Sequence, residues 1–584
     1  MLKNLLNRIL SPSPAPAALA ALAAPSAAVE APDDVAGADA LIVEGNALED
    51  AGRLGEAEAR YRAAVAKAPR HARAHLNLGI VLAAREDHPA AIAAFDRVLE
   101  IDPHHPFGNY NLARLMVLRG NPARARALVA EALRAKPDFH QALELSHRVE
   151  RDEGFAAEAL AVVRRIVERD PADWLHRSFE LMLMNCVAGV GADELFRKHV
   201  EFGSALEQAV PVRFQRHRER GDPQRRLRVG YVSCDFQTHP VAFFLAPVLE
   251  RHDRSQVEVF CYSLTKVVDA MTQRVRAAAD HWRDAASMSD AELADAIHAD
   301  GIDVLVDLMG HSSIPRLGVF CQRPAPVQVA WLGYLNTTGL TRMDFRLTDL
   351  RSDPPAVSQP RHTERLVPLP ESQWCYPTQV QPEIDPVPPF ERQGCLTFGS
   401  FNASLKITSA TCHRWAQVML RVPGSRLVVG NISSELKRTA ILRDIASHGV
   451  AADRVAFLPR VAIGDYLRLY DNVDITFDSF PYGGGTTTFD SLWMGVPVVA
   501  TIGETPVARS AASILAALRL DEWVASSAGD FVQVAVDRAG DLDALRALRQ
   551  SLRARMLASP LAELPRFMRE LEAAYRRMWL EKTA

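Results

Sequence analysis

The Gly- and Thr-rich stretch at residues 478–490, with the sequence DSFPYGGGTTTFD, is the part of the chain best suited to chemistry. It follows a predicted strand and precedes a predicted helix, Phe489–Met494. Glycines let a backbone approach a ligand closely, and the N–H groups and hydroxyls at a helix start suit a diphosphate. We expect the diphosphate contacts to come from one run of residues: Gly484, Gly485, Thr486, Thr487 and Thr488. Asp490, in the first turn of the predicted helix, could accept a hydrogen bond from a ribose hydroxyl. The alternative is an ordinary glycine-rich turn, and because no Walker lysine follows, a P-loop kinase or ATPase is disfavoured.

Lys406 lies in a second candidate loop, with the sequence FNASLKI at residues 401–407, directly after a predicted strand. A lysine at the carboxyl end of a strand can neutralise the charge on a departing phosphate group. Asn402 belongs to the same loop and is a candidate substrate contact. A surface lysine without a catalytic role is the alternative.

His239 ends a third loop, with the sequence SCDFQTHP, at the junction of a predicted strand and a predicted helix. Histidine exchanges protons near neutral pH, so His239 is a candidate acid–base group, with a helix-capping role as the alternative.

A fourth loop, WLGYLNTTG at residues 331–339, carries Thr337 and Thr338, whose polar groups could contact a sugar or a phosphate. His311 lies on the loop before it. Both loops could instead be plain connecting turns.

These loops follow short apolar runs that alternate with helix-sized segments, a pattern typical of parallel sheets covered on both faces. The first set of predicted strands is Leu227–Ser233, Val257–Tyr262, Asp303–Leu308, Val327–Leu332 and Phe345–Thr348. The second set is Leu396–Ser400, Arg426–Val429, Val455–Leu458, Ile475–Phe477 and Val498–Thr501. A proline-rich linker, Val367–Phe390, separates the two sets. The pattern predicts two doubly wound lobes, 226–385 and 390–584, the second closed by an amphipathic C-terminal helix. We expect ligands outside the carboxyl ends of the strands, in a cleft between the lobes.

A repeat of 34 residues precedes the α/β region, and its most regular mark is a proline series: Pro69, Pro103, Pro137 and Pro171. A slot for small residues holds Gly45, Gly79 and Ala113, and a slot for large apolar residues holds Tyr61, Phe95, Val129 and Val163. This is the tetratricopeptide pattern of helix pairs. It predicts a repeat array over 38–173, with a degenerate fourth unit in which His147 occupies the small slot, and a helical linker over 174–225. The groove of such a stack favours a protein or peptide partner, with packing against its own chain as the alternative.

The composition limits the function classes. The net charge of −4 argues against bulk nucleic-acid binding, and the longest uncharged stretch, Ile9–Val29, is broken by prolines, so no transmembrane helix is expected. The 7 scattered cysteines indicate a reducing compartment, which we take to be the cytoplasm. Residues 1–37 are predicted to form a disordered leader, with a weak amphipathic helix as the alternative. The only Asp-x-Asp, at 541–543, lies in a polar helical stretch, so neither a metal nor another cofactor is expected.

Together these residues resemble the family of tetratricopeptide-containing O-linked N-acetylglucosamine transferases, nearest to its bacterial and plant SPINDLY-like branch. The most specific stretches are 227–240, 323–339 and 481–497. The resemblance implies an α/β fold in which an N-terminal α-helical TPR solenoid precedes a two-lobed GT-B (double Rossmann-like) catalytic region. It also implies inverting, metal-independent transfer from a nucleotide diphosphate sugar to Ser/Thr hydroxyls of proteins that are delivered along the repeat groove.

By position, the resemblance assigns Lys406 to support of the leaving diphosphate and matches His239 to the active-site histidine. The residues that match nucleotide-sugar or phosphate contacts are Thr337, Thr486, Thr487 and Asp490. The animal enzymes have histidine, glutamine and histidine at the positions of Gly485, Ala403 and Tyr466, and some plant members use GDP-fucose, so the donor stays open.

The favoured interpretation is a cytoplasmic glycosyltransferase that uses UDP-N-acetylglucosamine (UDP-GlcNAc) on protein hydroxyls. One alternative is a transferase with another donor, such as GDP-fucose, or with a non-protein acceptor. The other is a repeat scaffold whose lobes are inactive.

Overall fold

A computed structural model describes residues 33–217, 221–312, 314–376 and 380–584. The chain divides into two compact units, Met1–Asn111 and Leu112–Ala584. In these four ranges, no helix is both long and apolar enough to cross a membrane.

The first unit consists of helical hairpins. Its helices are α1 (Val35–Asp50), α2 (Leu54–Lys67), α3 (Ala72–Ala84), α4 (His88–Ile101) and the first part of α5 (Pro106–Leu118). The small and large slots of the repeat meet inside each hairpin. An added Cβ at Gly45 would lie 2.4 Å from the ring of Tyr61, and one at Gly79 would lie 2.5 Å from the ring of Phe95. These glycines therefore let the two helices of a hairpin approach closely, as the spacing predicts.

The leader predicted for residues 1–37 lies mostly outside the described residues. The prediction is wrong for residues 35–37, because α1 begins at Val35. The side chain of Asp34 caps this helix by accepting a hydrogen bond from the backbone N–H of Gly37 at 2.9 Å.

The second unit opens with the remainder of α5 and five further helices. They are α6 (Pro122–Ala135), α7 (His140–Asp152), α8 (Ala156–Arg169), α9 (Trp174–Met184) and α10 (Ala192–Ala209). The fourth hairpin, α7 and α8, is complete although its sequence is degenerate. His147 is buried in the small slot, and its ring stacks on Phe179 of α9 with centroids 5.3 Å apart.

A parallel seven-stranded sheet follows, in the order β3-β2-β1-β4-β5-β6-β7. Its strands are β1 (Leu227–Ser233), β2 (Val257–Ser263), β3 (His281–Asp284), β4 (Val304–Asp307), β5 (Val327–Ala330), β6 (Phe345–Asp349) and β7 (Arg365–Leu369). The helices between them are α11 (Pro240–Arg251), α12 (Ala270–Ala278), α13 (Asp290–Ala299), α14 (Leu317–Cys321) and α15 (Pro355–Ser358). The sequence pattern misses β3 and β7, which are the two edge strands. The linker prediction is wrong at residues 367–369, because an edge strand tolerates a proline such as Pro368.

The second parallel sheet has six strands in the order β10-β9-β8-β11-β12-β13. They are β8 (Thr397–Ser400), β9 (Arg426–Val429), β10 (Val455–Phe457), β11 (Ile475–Phe477), β12 (Val498–Thr501) and β13 (Val524–Ala525). The accompanying helices are α16 (Pro389–Gln393), α17 (Ser409–Arg421), α18 (Glu435–Ser447), α19 (Ile463–Tyr466), α20 (Thr486–Trp493), α21 (Ser510–Ala517), α22 (Ala528–Ala539) and α23 (Leu542–Leu557). The strand missed here, β13, is too short to show a pattern.

The C-terminal helix, α24 (Leu564–Lys582), packs on the first sheet, although the sequence places it with the second lobe. The hydroxyl of Tyr575 lies 3.2 Å from the hydroxyl of Tyr231 in β1. The Glu572 carboxylate accepts a hydrogen bond from Nδ1 of His252 at 2.8 Å. The chain thus crosses from the second lobe back to the first before it ends.

Candidate active site

Each sheet has a switch point next to its first strand. β1 lies between β2 and β4, and β8 lies between β9 and β11, so the connections on the two sides of β1 and of β8 run in opposite directions. In doubly wound sheets, ligands bind in the crevice that opens at this point, outside the carboxyl ends of the strands. The loops that carry His239, Lys406 and the Gly/Thr turn all begin at these strand ends.

The turn between β11 and α20 is held by Asp478, whose role the sequence does not reveal. Its buried carboxylate accepts hydrogen bonds from the backbone N–H groups of Ser479 at 2.8 Å and of Gly484 at 2.6 Å. An added Cβ at Gly484 would lie only 2.5 Å from Oγ1 of Thr487. Burial raises the pKa of Asp478 to about 7, against the opposing effect of these N–H donors. The carboxylate therefore fixes the shape of the glycine turn, and its position directly after a strand is the signal that could have identified it.

The start of α20 is open toward the crevice. The helix begins at Thr486, three residues before the predicted start, and no described side chain caps it. An added Cβ at Gly485 would meet nothing within 4 Å. Thr486 and Thr487 are half-buried, whereas Thr488 is buried and its hydroxyl donates to the carbonyl of Gly484 at 3.2 Å. An uncapped helix start beside open space is a favourable place for an anion.

The loops after β8 and β11 form one site. The hydroxyl of Thr487 donates to Oδ1 of Asn402 at 3.1 Å. Nζ of Lys406 donates to the carbonyl of Gly483 at 2.9 Å and lies 3.9 Å from the ring centroid of Tyr482. Residues of the 401–407 loop and of the 478–490 stretch, two separate motifs in the sequence, are thus in direct contact.

The ammonium of Lys406 carries a charge that no carboxylate balances at ion-pair distance within the described part of the chain. Burial lowers the pKa of Lys406 to about 8, while Cys186 and Asp478 oppose the shift. A bound diphosphate would raise this pKa again, because an opposite charge favours the ammonium form. The site therefore suits a ligand that brings negative charge.

His239 caps α11, which was the alternative that the sequence left open. Its Nδ1 accepts a hydrogen bond from the backbone N–H of Val241 at 3.4 Å and lies 3.6 Å from Oδ2 of Asp235. Burial lowers the pKa of His239, and the Asp235 carboxylate opposes this shift. Capping does not exclude proton transfer, because Nε2 has no hydrogen-bond partner among the described residues.

The two lobes meet close to both helix starts. Phe244 of α11 lies 5.5 Å from Phe489 of α20, measured between ring centroids, and Tyr376 stacks on Phe489 at 4.8 Å. Phe244 lies four residues and Phe489 three residues after the first residue of its helix, about one turn in each case. Both helix starts therefore lie near the contact between the lobes.

Asp490 lies in the second turn of α20, so the prediction that it lies in the first turn is wrong. The cause is the early start of the helix at Thr486. Its buried carboxylate accepts a hydrogen bond from the hydroxyl of Tyr376, and burial raises the pKa of Asp490 to about 7. This carboxylate joins the lobes, and its contact with a ribose stays a prediction.

Thr337 and Thr338 lie in the loop after β5, and both are buried. The hydroxyl of Thr337 donates to Glu364 at 2.6 Å, and the backbone N–H of Thr338 donates to the same carboxylate at 2.6 Å. They thus hold the loop in place, and a contact with sugar or phosphate stays a prediction. His311 is fully buried and donates from Nε2 to the carbonyl of Thr338 at 3.0 Å, which makes it a core residue.

No group of three or more His, Cys, Asp or Glu side chains among the described residues is arranged to hold a metal ion. The polar groups that the site presents are one ammonium, an uncapped helix start, hydroxyls, an amide and an imidazole. These can bind an anionic group in the second lobe and exchange a proton in the first.

The fold and the site define a repeat protein with two doubly wound lobes and, beside Lys406 in the second lobe, a site suited to an anion. The chain belongs to glycosyl transferase family 41, whose family model matches residues 205–376 and 392–571. Tetratricopeptide repeat models match residues 42–106 and 82–146. The family and the fold class expected from the sequence are thereby confirmed.

Named relatives extend this comparison. The chain is 39% identical over 411 residues to a rice protein named probable UDP-N-acetylglucosamine–peptide N-acetylglucosaminyltransferase SPINDLY, and 38% identical over 408 residues to its Arabidopsis thaliana counterpart. Each match covers 68% of this chain and 44% of the relative, so the matched region spans less than half of these longer proteins. A solved structure, a mutant of the O-GlcNAc transferase of Thermobaculum terrenum, is 32% identical, with a TM-score of 0.77 over 88% of this chain and 98% of that one.

Proposed function

We propose that this protein is a cytoplasmic glycosyltransferase that moves a sugar from a nucleotide diphosphate donor to Ser/Thr hydroxyls of proteins. The favoured donor is UDP-GlcNAc, in line with the names of the SPINDLY relatives and of the solved neighbour. The acceptor would reach the cleft along the repeat groove.

The observation that carries this proposal is the contact between Lys406 and the glycine turn. The ammonium lies 2.9 Å from the carbonyl of Gly483, beside the open start of α20 at Thr486. Negative charge develops on the diphosphate as the sugar bond breaks, and a fixed ammonium and helix-terminal N–H groups stabilise it without reorganisation. The ammonium and the N–H groups offset the negative charge of the leaving group, which supports transfer without a metal ion.

His239 is proposed to exchange the proton of the acceptor hydroxyl. Asp235, 3.6 Å from Nδ1, competes with the long capping bond from Val241 for this nitrogen. When Nδ1 turns its proton to the carboxylate and gives up the cap, the lone pair of Nε2 is available. Attack by the hydroxyl on the face opposite the diphosphate would invert the anomeric carbon. In this arrangement the second lobe supports the leaving group and the first lobe takes the proton.

GDP-fucose is the second candidate donor, because the buried Tyr466 stands where the animal enzymes have a histidine. The Tyr466 hydroxyl lies 2.9 Å from the hydroxyl of Tyr470, inside the second lobe. With Gly485 and Ala403, it departs from the residues of the animal enzymes.

The experiment is transfer to proteins of a cell lysate, followed by intact-protein mass spectrometry, with UDP-GlcNAc and GDP-fucose in parallel. We expect proteins to gain the mass of N-acetylhexosamine with the wild type and not with Lys406→Ala. If proteins gain only the mass of deoxyhexose, GDP-fucose replaces UDP-GlcNAc as the proposed donor. No addition from either donor, in a protein that unfolds cooperatively, would contradict a protein glycosyltransferase.

A further inference from the structure

The turn between α7 and α8, in the fourth hairpin, packs against the loop that carries Lys406. An added Cβ at Gly154 in this turn would lie 2.6 Å from both Cβ and Oγ of Ser404. Ser404 begins the single 3₁₀ turn Ser404–Lys406 that ends at the ammonium-bearing residue. Only one residue, Leu405, separates the hairpin contact at Ser404 from Lys406 along the chain.

Lys437, near the start of α18, fastens the same two segments together. Its buried ammonium donates to the carbonyl of Gly154 at 2.7 Å and to the carbonyl of Ile407 at 2.7 Å. It also lies 5.1 Å from the ring centroid of Phe155. Burying an ammonium beside neutral carbonyl acceptors is unfavourable in free energy, and apolar packing could make the same connection without this desolvation.

A second contact holds the turn on α18. The hydroxyl of Ser434, which caps this helix by accepting from the backbone N–H of Lys437, donates to the Glu153 carboxylate. The turn is therefore attached at three consecutive residues: Glu153, Gly154 and Phe155.

The repeat itself shows that this glycine is special. The corresponding turn positions, each 34 residues apart, all have a positive φ: Gly52 at 72°, Glu86 at 65°, Gly120 at 66° and Gly154 at 87°. Glu86 demonstrates that this backbone conformation accepts a side chain here. An added Cβ would meet nothing within 4 Å at Gly52 or Gly120, whereas at Gly154 it would strike Ser404. At Gly154 the loop of Lys406 thus adds a steric constraint to the backbone conformation that the four turns share.

We propose that Glu153, Gly154, Phe155 and Lys437 form a brace that positions Lys406, so that the fourth hairpin is part of the active site's positioning machinery. The catalytic consequence rests on the function proposed above for Lys406. The brace sets the distance of the ammonium from the Gly483 carbonyl and from the start of α20. The position of the Lys406 ammonium therefore depends on how the fourth hairpin packs against this loop.

The test compares Gly154→Ala with Gly120→Ala, a control with the same backbone demand but open space around the added methyl group. Lys437→Met, which removes only the ammonium, is the second variant, with Lys198→Met on the exposed face of α10 as its control. For each protein we would measure kcat and KM for the donor. We would also measure the reactivity of the Lys406 amine toward an amine-labelling reagent against pH, read by peptide mass spectrometry.

We expect Gly154→Ala and Lys437→Met to lower kcat by about tenfold or more, since a misplacement of 1 Å is enough for such a loss, while the controls stay within about twofold. In the wild type the labelling of Lys406 should follow a pKa of about 8, and in the two brace variants it should move toward the ordinary value of 10.5. If Lys437→Met does not fold, Gly154→Ala decides alone.

The labelling experiment needs no sugar transfer, so it separates the brace from the proposed function. Labelling curves that coincide for Gly154→Ala, Gly120→Ala and the wild type would overturn the brace, whatever the activity. A shifted curve in a protein without transferase activity would support the brace and contradict the proposed function.

Discussion

The starts of α11 and α20 both lie near the contact between the lobes, yet the first is closed by a capping side chain and the second is open. The side chain of His239 caps α11, whereas no described side chain caps α20. Lys406 stands beside the open start, and Asp235 stands beside the closed one. The difference teaches that the two switch points have separate tasks. The second lobe offers positive potential to an anion, and the first offers a proton acceptor next to a carboxylate.

The largest effect should come from the open site. Lys406→Ala removes the ammonium that contacts the glycine turn and that we propose stabilises the leaving diphosphate. Loss of one such electrostatic group costs about 10²–10³ in kcat, and we expect the upper end, with a smaller change in KM for the donor. Steady-state transfer assays measure this, with Lys198→Ala as the matched control. A loss confined to KM would mean that Lys406 binds the donor without assisting the reaction.

The closed site should show a smaller effect with a different signature. We expect His239→Ala to lower kcat/KM by about 10², as is usual for loss of an acid–base group. Because burial lowers the pKa of His239 below its ordinary 6.5, wild-type activity should fall only at a pH below that ordinary value, when Nε2 becomes protonated. That acidic limb should disappear in the variant.

His281→Ala, in the exposed edge strand β3 of the same lobe, is the control for the acidic limb. An unchanged acidic limb in His239→Ala would assign the proton transfer to another group. Asp235→Asn should weaken activity less than His239→Ala, because it leaves the imidazole in place and removes only the charge beside it.

Substitutions at two neighbouring glycines distinguish the shape of the open site from the binding of a donor there. Gly484→Ala should lower the free energy of unfolding by about 1–2 kcal/mol and weaken donor binding, because the new Cβ displaces Thr487 and Asn402. Gly485→Ala should leave stability unchanged, since the added methyl group meets nothing within 4 Å, and should weaken donor binding if the donor fills that space. Denaturant unfolding and calorimetric titration with the donor measure both quantities. Equal donor affinity in Gly485→Ala and the wild type would place the diphosphate elsewhere.

Much of the fold follows from sequence spacing because its signals are local. The repeat of 34 residues marks helix pairs directly, since the small slot of one helix lies against the large slot of the next, as Gly79 lies against the ring of Phe95. The buried strands are short apolar runs, because both faces of a parallel sheet are covered. The edge strands β3 and β7 escape this rule, since a polar sequence or Pro368 is tolerated where one side is unpaired. The placement of α24 on the first lobe is a long-range contact that no local pattern encodes.

The site divides in the same way. Lys406 and the Gly/Thr turn are recognisable because strand ends and glycines are local features, and the structure brings them into contact. The brace at Gly154 could not be found, because the same turn position in the third hairpin also has a glycine, Gly120, where an added Cβ would meet nothing within 4 Å. Asp490 shows the opposite case. Its position after three threonines suggests a ligand contact, and the structure adds a contact with Tyr376 that the sequence does not reveal, while the ligand contact stays a prediction.

The smallest predicted effect is a pH dependence of donor binding that belongs to the open site alone. The pKa of Lys406 is lowered to about 8, so the ammonium form predominates at pH 7 and half remains at pH 8. Only the ammonium form attracts a diphosphate, so donor affinity should fall about twofold between pH 7 and pH 8 and more steeply above it. Asp478, with its pKa raised to about 7, gains negative charge over the same range and acts in the same direction. Calorimetric titration of the wild type and of Lys406→Met separates the two groups, because the variant retains only the contribution of Asp478. Equal pH slopes in the two proteins would show that Lys406 is not the titrating cation, and the contrast between an anion-binding lobe and a proton-exchanging lobe would then need another charged group at the start of α20.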